Sequence, residues 1–341
     1  MDITEHRTSS ARHSTFYRAC GPQNGPLIIM THGWPELSIS WRHQLAYLGN
    51  LGYRAIAPDM RGYGASTVYD TKEAYTLAEI VQDMIELIDS LGAEKAVWIG
   101  HDWGSPVAWS VALQHPERVV AVASLCVPYG FAGHPTQMEY SINRELYPAA
   151  EYPLGQWDYQ MHYYENFDAA QQEMEENPGA VVKALFRKGD PDGVGVPSGS
   201  ASIRKNGGWF TAFGGVPDLP IDEDVVSAED IAIYAKHLTE NGFFGPNAWY
   251  VNGEVNTAYL QTKADATLSM PVLFVHATYD YVCDTTTTAF ADPMRKLCPN
   301  LTEAHLDSGH WMAQEKPKEL NAILSSWLEG SAAYPAQPLQ T

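Results

Sequence analysis

Asp102 is the residue whose type and setting most directly suggest chemistry. It sits in Gly100-His101-Asp102-Trp103-Gly104, between an apolar β-type run and an apolar helical pattern. A strand that reverses into a helix within about three residues forces its middle residue into a strained backbone conformation and leaves no room for Cβ atoms two positions away, so glycine belongs on both sides. Such a turn lifts its central side chain above the sheet, where a nucleophile is useful. Serine is the usual occupant; here it is a carboxylate. With an ordinary pKa of about 3.9, an aspartate is an anion at neutral pH and attacks without a base. It would form an alkyl ester on the enzyme from an sp3 carbon bearing a leaving group, either a strained ether oxygen or a halide. Water must then cleave that ester, and this step needs a base.

The candidate base is His310, in Leu306-Asp307-Ser308-Gly309-His310-Trp311, after the last expected strand. Its orienting acid should follow an earlier strand, and Asp280 fits; Asp284 is a rival and Asp307 a weaker one. Ester hydrolysis places an oxyanion on the Asp102 carbonyl, which requires preorganised N–H donors. The backbone N–H of Trp103, just after the nucleophile, is one candidate. The other is that of Trp34, in His32-Gly33-Trp34-Pro35-Glu36, where Pro35 is a candidate for a cis peptide bond that aims the turn. Taken singly, each piece has a plainer reading. An aspartate after a strand often caps a helix, His32, His101, His115 and His276 read as structural, and His-Gly-Trp-Pro can be a simple turn. The four sites gain weight by falling in order at the ends of expected strands.

The positioning elements follow from periodicity. Buried-strand runs are expected at 26–30 and 119–125, and further strands at 53–57, at the apolar run entering Gly100, and at 271–276 and 301–306. Helices are expected near 40–51, from a Thr76 cap to Gly92, at 286–297 and at 317–328. Strands alternating with helices predict a parallel, doubly wound sheet that binds ligands beyond its strand C-termini. The alternation fails between Val127 and Pro271, a stretch rich in Tyr, Trp, Pro and Gly with no convincing strand. A crossover needs only about a dozen residues, so this is an inserted, helical unit over the sheet edge. The expected division is 1–133 and 250–331 for the core, 134–249 for the insertion, and 332–341 for a tail. Residues 188–202 read as a loop. Asp190-Pro191-Asp192-Gly193 lacks the later ligands of a calcium loop, so no metal is expected, and Gly62 and Gly64 lack the third glycine of a dinucleotide fingerprint, so no cofactor is expected.

The formal charge of −20, from 41 acidic and 21 basic residues, argues against nucleic acid or an anionic membrane surface as partner. No stretch approaches the ~20 apolar residues of a membrane helix. The first residues carry no apolar core of a secretory signal. Cys20, Cys126, Cys283 and Cys298 match no metal or redox spacing. These features point to a soluble, reduced, cytoplasmic protein. Trp103, Tyr129, Trp157 and Trp249 suggest an aromatic, apolar substrate pocket.

With these residues in place the chain resembles the soluble epoxide hydrolase branch of the α/β-hydrolase superfamily, hydrolase part only. The matching motifs are His32-Gly33-Trp34-Pro35-Glu36, Asp59-Met60-Arg61-Gly62-Tyr63-Gly64, Gly100-His101-Asp102-Trp103-Gly104, Asp280 and Gly309-His310-Trp311. The resemblance implies an α/β-hydrolase fold with a helical cap (lid) and a nucleophile–acid–histidine order of Asp102, Asp280, His310. It also implies two lid tyrosines that grip the epoxide oxygen, Tyr159 in Trp157-Asp158-Tyr159-Gln160-Met161 and Tyr250 in Trp249-Tyr250-Val251-Asn252. Among 19 tyrosines, Tyr152, Tyr163 and Tyr164 are near rivals. The implied reaction is hydration of a small lipophilic epoxide to a vicinal diol. The alternatives are a haloalkane or haloacid dehalogenase using the same triad, and a non-catalytic ligand-binding receptor on a hydrolase scaffold.

Overall fold

The computed structural model describes residues 1–130 and 134–331. It opens with an antiparallel hairpin of β1 (Thr4–Ser9) and β2 (Ser14–Cys20). The residue pattern gives no strand there, because β1 is exposed along nearly its whole length and no apolar alternation marks a buried face. The expected strands then follow as β3 (Leu27–Thr31), β4 (Arg54–Pro58), β5 (Ala96–His101) and β6 (Val119–Leu125). Every residue of β3 and β5 is buried, which accounts for unbroken apolar runs instead of period-two patterns. Between them lie α1 (Arg42–Asn50), α2 (Leu77–Ser90) and α3 (Gly104–Gln114). Helix α2 buries Ile80, Val81, Met84 and Ile88 on an apolar stripe, whereas α3 is buried almost all round.

After β6 the chain leaves the sheet and returns only at β7 (Val272–Ala277), which pairs with β6 in parallel. The intervening helices are α4 (Asp158–Glu165), α5 (Phe167–Glu175), α6 (Pro178–Leu185), α7 (Ile203–Asn206), α8 (Ala228–Asn241), α9 (Phe244–Ala248) and α10 (Gly253–Leu260), with no strand among the described residues. The expected boundary at 133 lies outside the described residues. That at 249/250 falls inside a 3-10 turn, Trp249–Val251. Beyond it α10 already packs on α2 and α3. Asn256 of α10 accepts a hydrogen bond from the Leu77 N–H at 2.8 Å. It thereby serves the start of α2, where Thr76 occupies the cap position but its side chain makes no capping bond. The loop at 188–202 carries two short 3-10 turns.

The sheet ends with β8 (Leu301–Leu306), giving the order β1-β2-β4-β3-β5-β6-β7-β8. Pairs β1/β2 and β2/β4 are antiparallel and the others parallel. The helix expected over 286–297 is shorter, α11 (Asp292–Leu297). Asp284 accepts from the N–H groups of Thr286 and Thr287 at 3.0 and 2.8 Å, holding that stretch as a turn. The helix then starts where Pro293 fits its first turn. Helices α12 (Met312–Glu315) and α13 (Pro317–Gly330) close the chain. The expected tail, 332–341, lies outside the described residues. Among the described residues no helix is long and apolar enough to cross a membrane.

Candidate active site

Residues Trp34, Asp102, Asp280 and His310 follow β3, β5, β7 and β8, so the parallel sheet delivers all four to one edge. Asp102 has φ of 48°, a left-handed conformation that aspartate tolerates better than most residues. A Cβ at Gly100 would come within 2.5 Å of the Gly104 carbonyl, and one at Gly104 within 2.1 Å of the Thr31 carbonyl. Glycine is therefore dictated by neighbouring backbone on both sides of the elbow. A Cβ at Gly33 would fall 2.3 Å from Asp102 Oδ1. Its absence lets the Trp34 N–H donate to that oxygen at 2.7 Å. The Trp34–Pro35 peptide bond is cis.

The second oxygen, Asp102 Oδ2, lies 3.5 Å from His310 Nε2. On the far side of the ring, His310 Nδ1 donates to Asp280 Oδ2 at 2.6 Å. Asp280 Oδ1 accepts from the N–H groups of Cys283 and Val282 at 2.9 and 3.1 Å. The rivals are placed elsewhere: Asp284 faces its own turn, and Asp307 accepts from Thr278 Oγ1 at 3.0 Å. Burial alone would lower the His310 pKa, but the Asp280 charge and hydrogen bonds to Asp102 and Asp280 outweigh it and hold it well above the ordinary histidine value. Burial likewise opposes ionisation of Asp280, yet the neighbouring His310 and the two backbone donors keep it below its usual value.

His101, read as structural in the sequence, and Glu36, to which the sequence assigns no role of its own, brace this constellation. His101 Nδ1 contacts Glu36 Oε2 at 2.8 Å and its Nε2 contacts the His310 carbonyl at 2.7 Å. Both partners are acceptors, so both ring nitrogens carry protons and His101 is an imidazolium. Against burial, the Glu36 carboxylate raises its pKa to about 10; Glu36, also buried, is lowered to about 2 by His101. Glu36 Oε2 also accepts from the Gly33 N–H at 2.9 Å. One buried ion pair thus ties the turn bearing the Trp34 donor to the backbone of His310, which also accepts from Cys126 Sγ at 3.4 Å. The signal for Glu36 was its position one residue after Pro35; nothing in the sequence paired it with His101.

The linkage has a definite sign. Stability from His101 is fully present below pH 6.5 and is lost as pH rises through about 10. Stability from Glu36 is fully present above pH 4.5 and is lost as pH falls through about 2. Glu36→Gln is expected to cost about 3–5 kcal/mol by stranding a buried charge. It should also flatten the alkaline decline of the melting temperature. Thermal melts of both proteins across pH 5–10 check this; an unchanged alkaline slope would remove the ion pair from the account.

Tyr159, on α4, and Tyr250, in the turn after α9, line a cavity of about 160 Å3 together with Asp102. Their rings are 5.7 Å apart at 77°. Burial raises both pKa values, with the Asp102 charge adding to the effect, so both stay neutral donors. Gln160 Nε2 donates to the Tyr159 hydroxyl at 3.2 Å, which leaves that hydroxyl's own proton for a ligand. Among the rivals, Tyr164 accepts from the Gly253 N–H at 2.8 Å and Tyr163 stacks behind Tyr250 at 4.7 Å; Tyr152 packs edge-on to Tyr147.

The pocket walls differ from those expected. Trp103 and Trp157 line a small annex beside Asp102, but Tyr129 and Trp249 line neither space. Tyr129 donates to the Ala266 carbonyl at 2.9 Å and Trp249 Nε1 to the Arg61 carbonyl at 3.1 Å, each turned into packing. The main cavity is walled instead by Trp34, Leu185, Trp209, Val282, Cys283 and Trp311. Val282, Cys283 and Trp311 lie within three residues of Asp280 or His310 and were within reach of the sequence. Leu185 and Trp209 come from the insertion, where no spacing rule applies. A larger groove of about 850 Å3 between β8 and α13 contains no titratable side chain. His101, Cys126 and His310, and likewise Asp280, Cys283 and His310, are close enough to share a metal, but both ring nitrogens of His101 and Nδ1 of His310 are engaged by Glu36, the His310 carbonyl and Asp280.

Comparisons with known proteins identify the family of the chain. The α/β hydrolase fold family matches residues 26–177. Epoxide hydrolase A of Mycobacterium tuberculosis is 33% identical over 317 residues, covering 91% of this chain and 92% of that protein. Bifunctional epoxide hydrolase 2 of Sus scrofa is 35% identical over 313 residues, but the chain spans only 53% of its length. The crystal structure of epoxide hydrolase A from Mycobacterium thermoresistibile superposes with a TM-score of 0.77 at 31% identity, covering 96% of this chain and 99% of that one. An epoxide hydrolase from an endophytic Streptomyces gives 0.78 at 29%, covering 96% of each chain. These relatives favour the epoxide hydrolase reading over the dehalogenase and the non-catalytic receptor. By fold and by likeness along nearly its whole length to epoxide hydrolase A of Mycobacterium tuberculosis, the chain belongs to the epoxide hydrolases of the α/β-hydrolase family.

Proposed function

We propose that this protein hydrates a small lipophilic epoxide to a vicinal diol through an alkyl ester on Asp102. The observation that carries the reading is a carboxylate at the elbow sharing one apolar cavity with two neutral tyrosines. Asp102 attacks one epoxide carbon while Tyr159 and Tyr250 hold the oxygen, and one of them protonates it as the C–O bond breaks. Esterification removes the Asp102 charge, one of the groups holding the His310 proton. His310 therefore becomes a base after the first step, and the proton it loses replaces the one the tyrosine gives. Oriented by Asp280, it then takes a proton from water, and hydroxide adds to the ester carbonyl. The N–H groups of Trp34 and Trp103 stabilise the oxyanion. Collapse releases the diol, whose alkoxide takes the second water proton, and restores the Asp102 anion beside protonated His310.

The helical insertion, about 134–249, acts in this scheme as the cap that brings Tyr159 over the nucleophile, with Tyr250 at its junction with the core. The partners are the epoxide and water. A cytoplasmic location fits four cysteines that are all buried and unpaired.

Turnover of styrene oxide, followed as diol, against bromide release from a bromoalkane tests the reading. Diol without bromide is expected. Tyr159→Phe should lower diol formation by about 10²-fold, since a halide would not need the donor but an alkoxide does. Bromide release without diol would replace the epoxide by a haloalkane.

A further inference from the structure

The space around Asp102 is divided into two unequal chambers. Asp102, Tyr159 and Cys283 line both. On one side lies the cavity of about 160 Å3, walled by Trp34, Leu185, Trp209, Val282 and Trp311. On the other lies an annex of only about 10 Å3, closed by Trp103, Val127, Trp157, Gln160 and Phe290. The annex walls are held in place. Trp157 Nε1 donates to Ser141 Oγ at 2.9 Å, its ring meets Phe290 edge-on at 5.2 Å, and Gln160 is tied to Tyr159. Trp157 and Phe290 are each only 1% exposed.

We infer that the enzyme takes epoxides with one apolar substituent of roughly benzene size and nothing larger than a methyl group on the other ring carbon. This rests on the function proposed above. An epoxide held with its oxygen at the tyrosines and a carbon at Asp102 extends its two substituents away from the line between them, one toward each chamber. An apolar cavity of about 150 Å3 accommodates benzene, whereas about 10–15 Å3 is the room one water needs. The first figure matches the large chamber and the second the annex. A phenyl group in the annex would have to displace Trp157 or Phe290 from close packing, and overpacked cores resist such insertion. Terminal epoxides such as styrene oxide fit; epoxides with a bulky group on each carbon do not.

The test compares kcat/KM for styrene oxide, trans-β-methylstyrene oxide and trans-stilbene oxide, using the full chain. The methyl compound should stay within about tenfold of styrene oxide, and trans-stilbene oxide should fall about 100-fold or more below it. Phe290→Ala should raise the trans-stilbene oxide value about tenfold while changing that of styrene oxide much less. If Phe290→Ala does not fold, Phe290→Leu should shift the same ratio in the same direction by a smaller factor. Comparable wild-type values for styrene and trans-stilbene oxides, or a ratio unmoved in both variants, would overturn the inference alone. No diol from any epoxide would instead overturn the proposed function, and the inference with it.

Discussion

Asp102→Asn is expected to lose diol formation by about 10⁴-fold or more, the scale seen when a covalent nucleophile is removed. Asparagine is the informative substitution because it tolerates the left-handed backbone at φ 48° and can still accept from Trp34. The fold and the cavity should survive while the anion is gone, so a melting temperature near wild type must accompany the loss. Water activated by His310 can attack the new amide as it attacks an ester, regenerating aspartate. Any activity that grows with incubation should therefore appear with Asp102→Asn and be absent from Asp102→Asn/His310→Ala. Rapid, constant turnover by the double variant would move the chemistry away from this carboxylate.

The second large effect separates the two half-reactions. His310→Gln is expected to leave attack by Asp102 largely intact and to slow ester hydrolysis by about 10²–10⁴-fold, the usual range for loss of a general base. The protein should then accumulate a covalent adduct with the mass of one substrate, located by peptide mapping to the stretch containing Asp102. In the wild type the same step has a predictable pH sign. His310 is held protonated in the resting enzyme and must be neutral in the ester, so hydrolysis should slow on acidification while alkylation, carried by a carboxylate, is less affected. Stopped-flow tryptophan fluorescence can follow both phases, because Trp34, Trp209 and Trp311 wall the cavity. A His310→Gln variant that turns over without an adduct would exclude it as the base.

The parts of this arrangement legible in the sequence are those governed by short-range sterics. The elbow could be located because glycines at 100 and 104 are demanded by backbone atoms only a few residues or one strand away. The parallel strands β3 to β7 could be located because each is buried nearly throughout. The hairpin of β1 and β2 was missed because its exposed faces select no apolar pattern. The 284–291 turn was missed because a single carboxylate, Asp284, redirects a stretch whose spacing still looks helical. In the site, Glu36 and His101 are 65 positions apart, so their pairing is a product of the parallel register and invisible along the chain. Tyr129 and Trp249 were expected in the pocket on residue type alone, and each instead spends its polar atom on a backbone carbonyl. Aromatic composition announces an apolar interior without saying which rings face the void.

A single turnover with enzyme in excess, in heavy-oxygen water, bears most directly on the covalent role of Asp102. If the ester forms, hydroxide adds at the Asp102 carbonyl carbon, so the heavy oxygen should be found in the Asp102 side chain and the first diol should carry none. Heavy oxygen in the first diol, with an unlabelled Asp102, would mean that water attacks the epoxide directly.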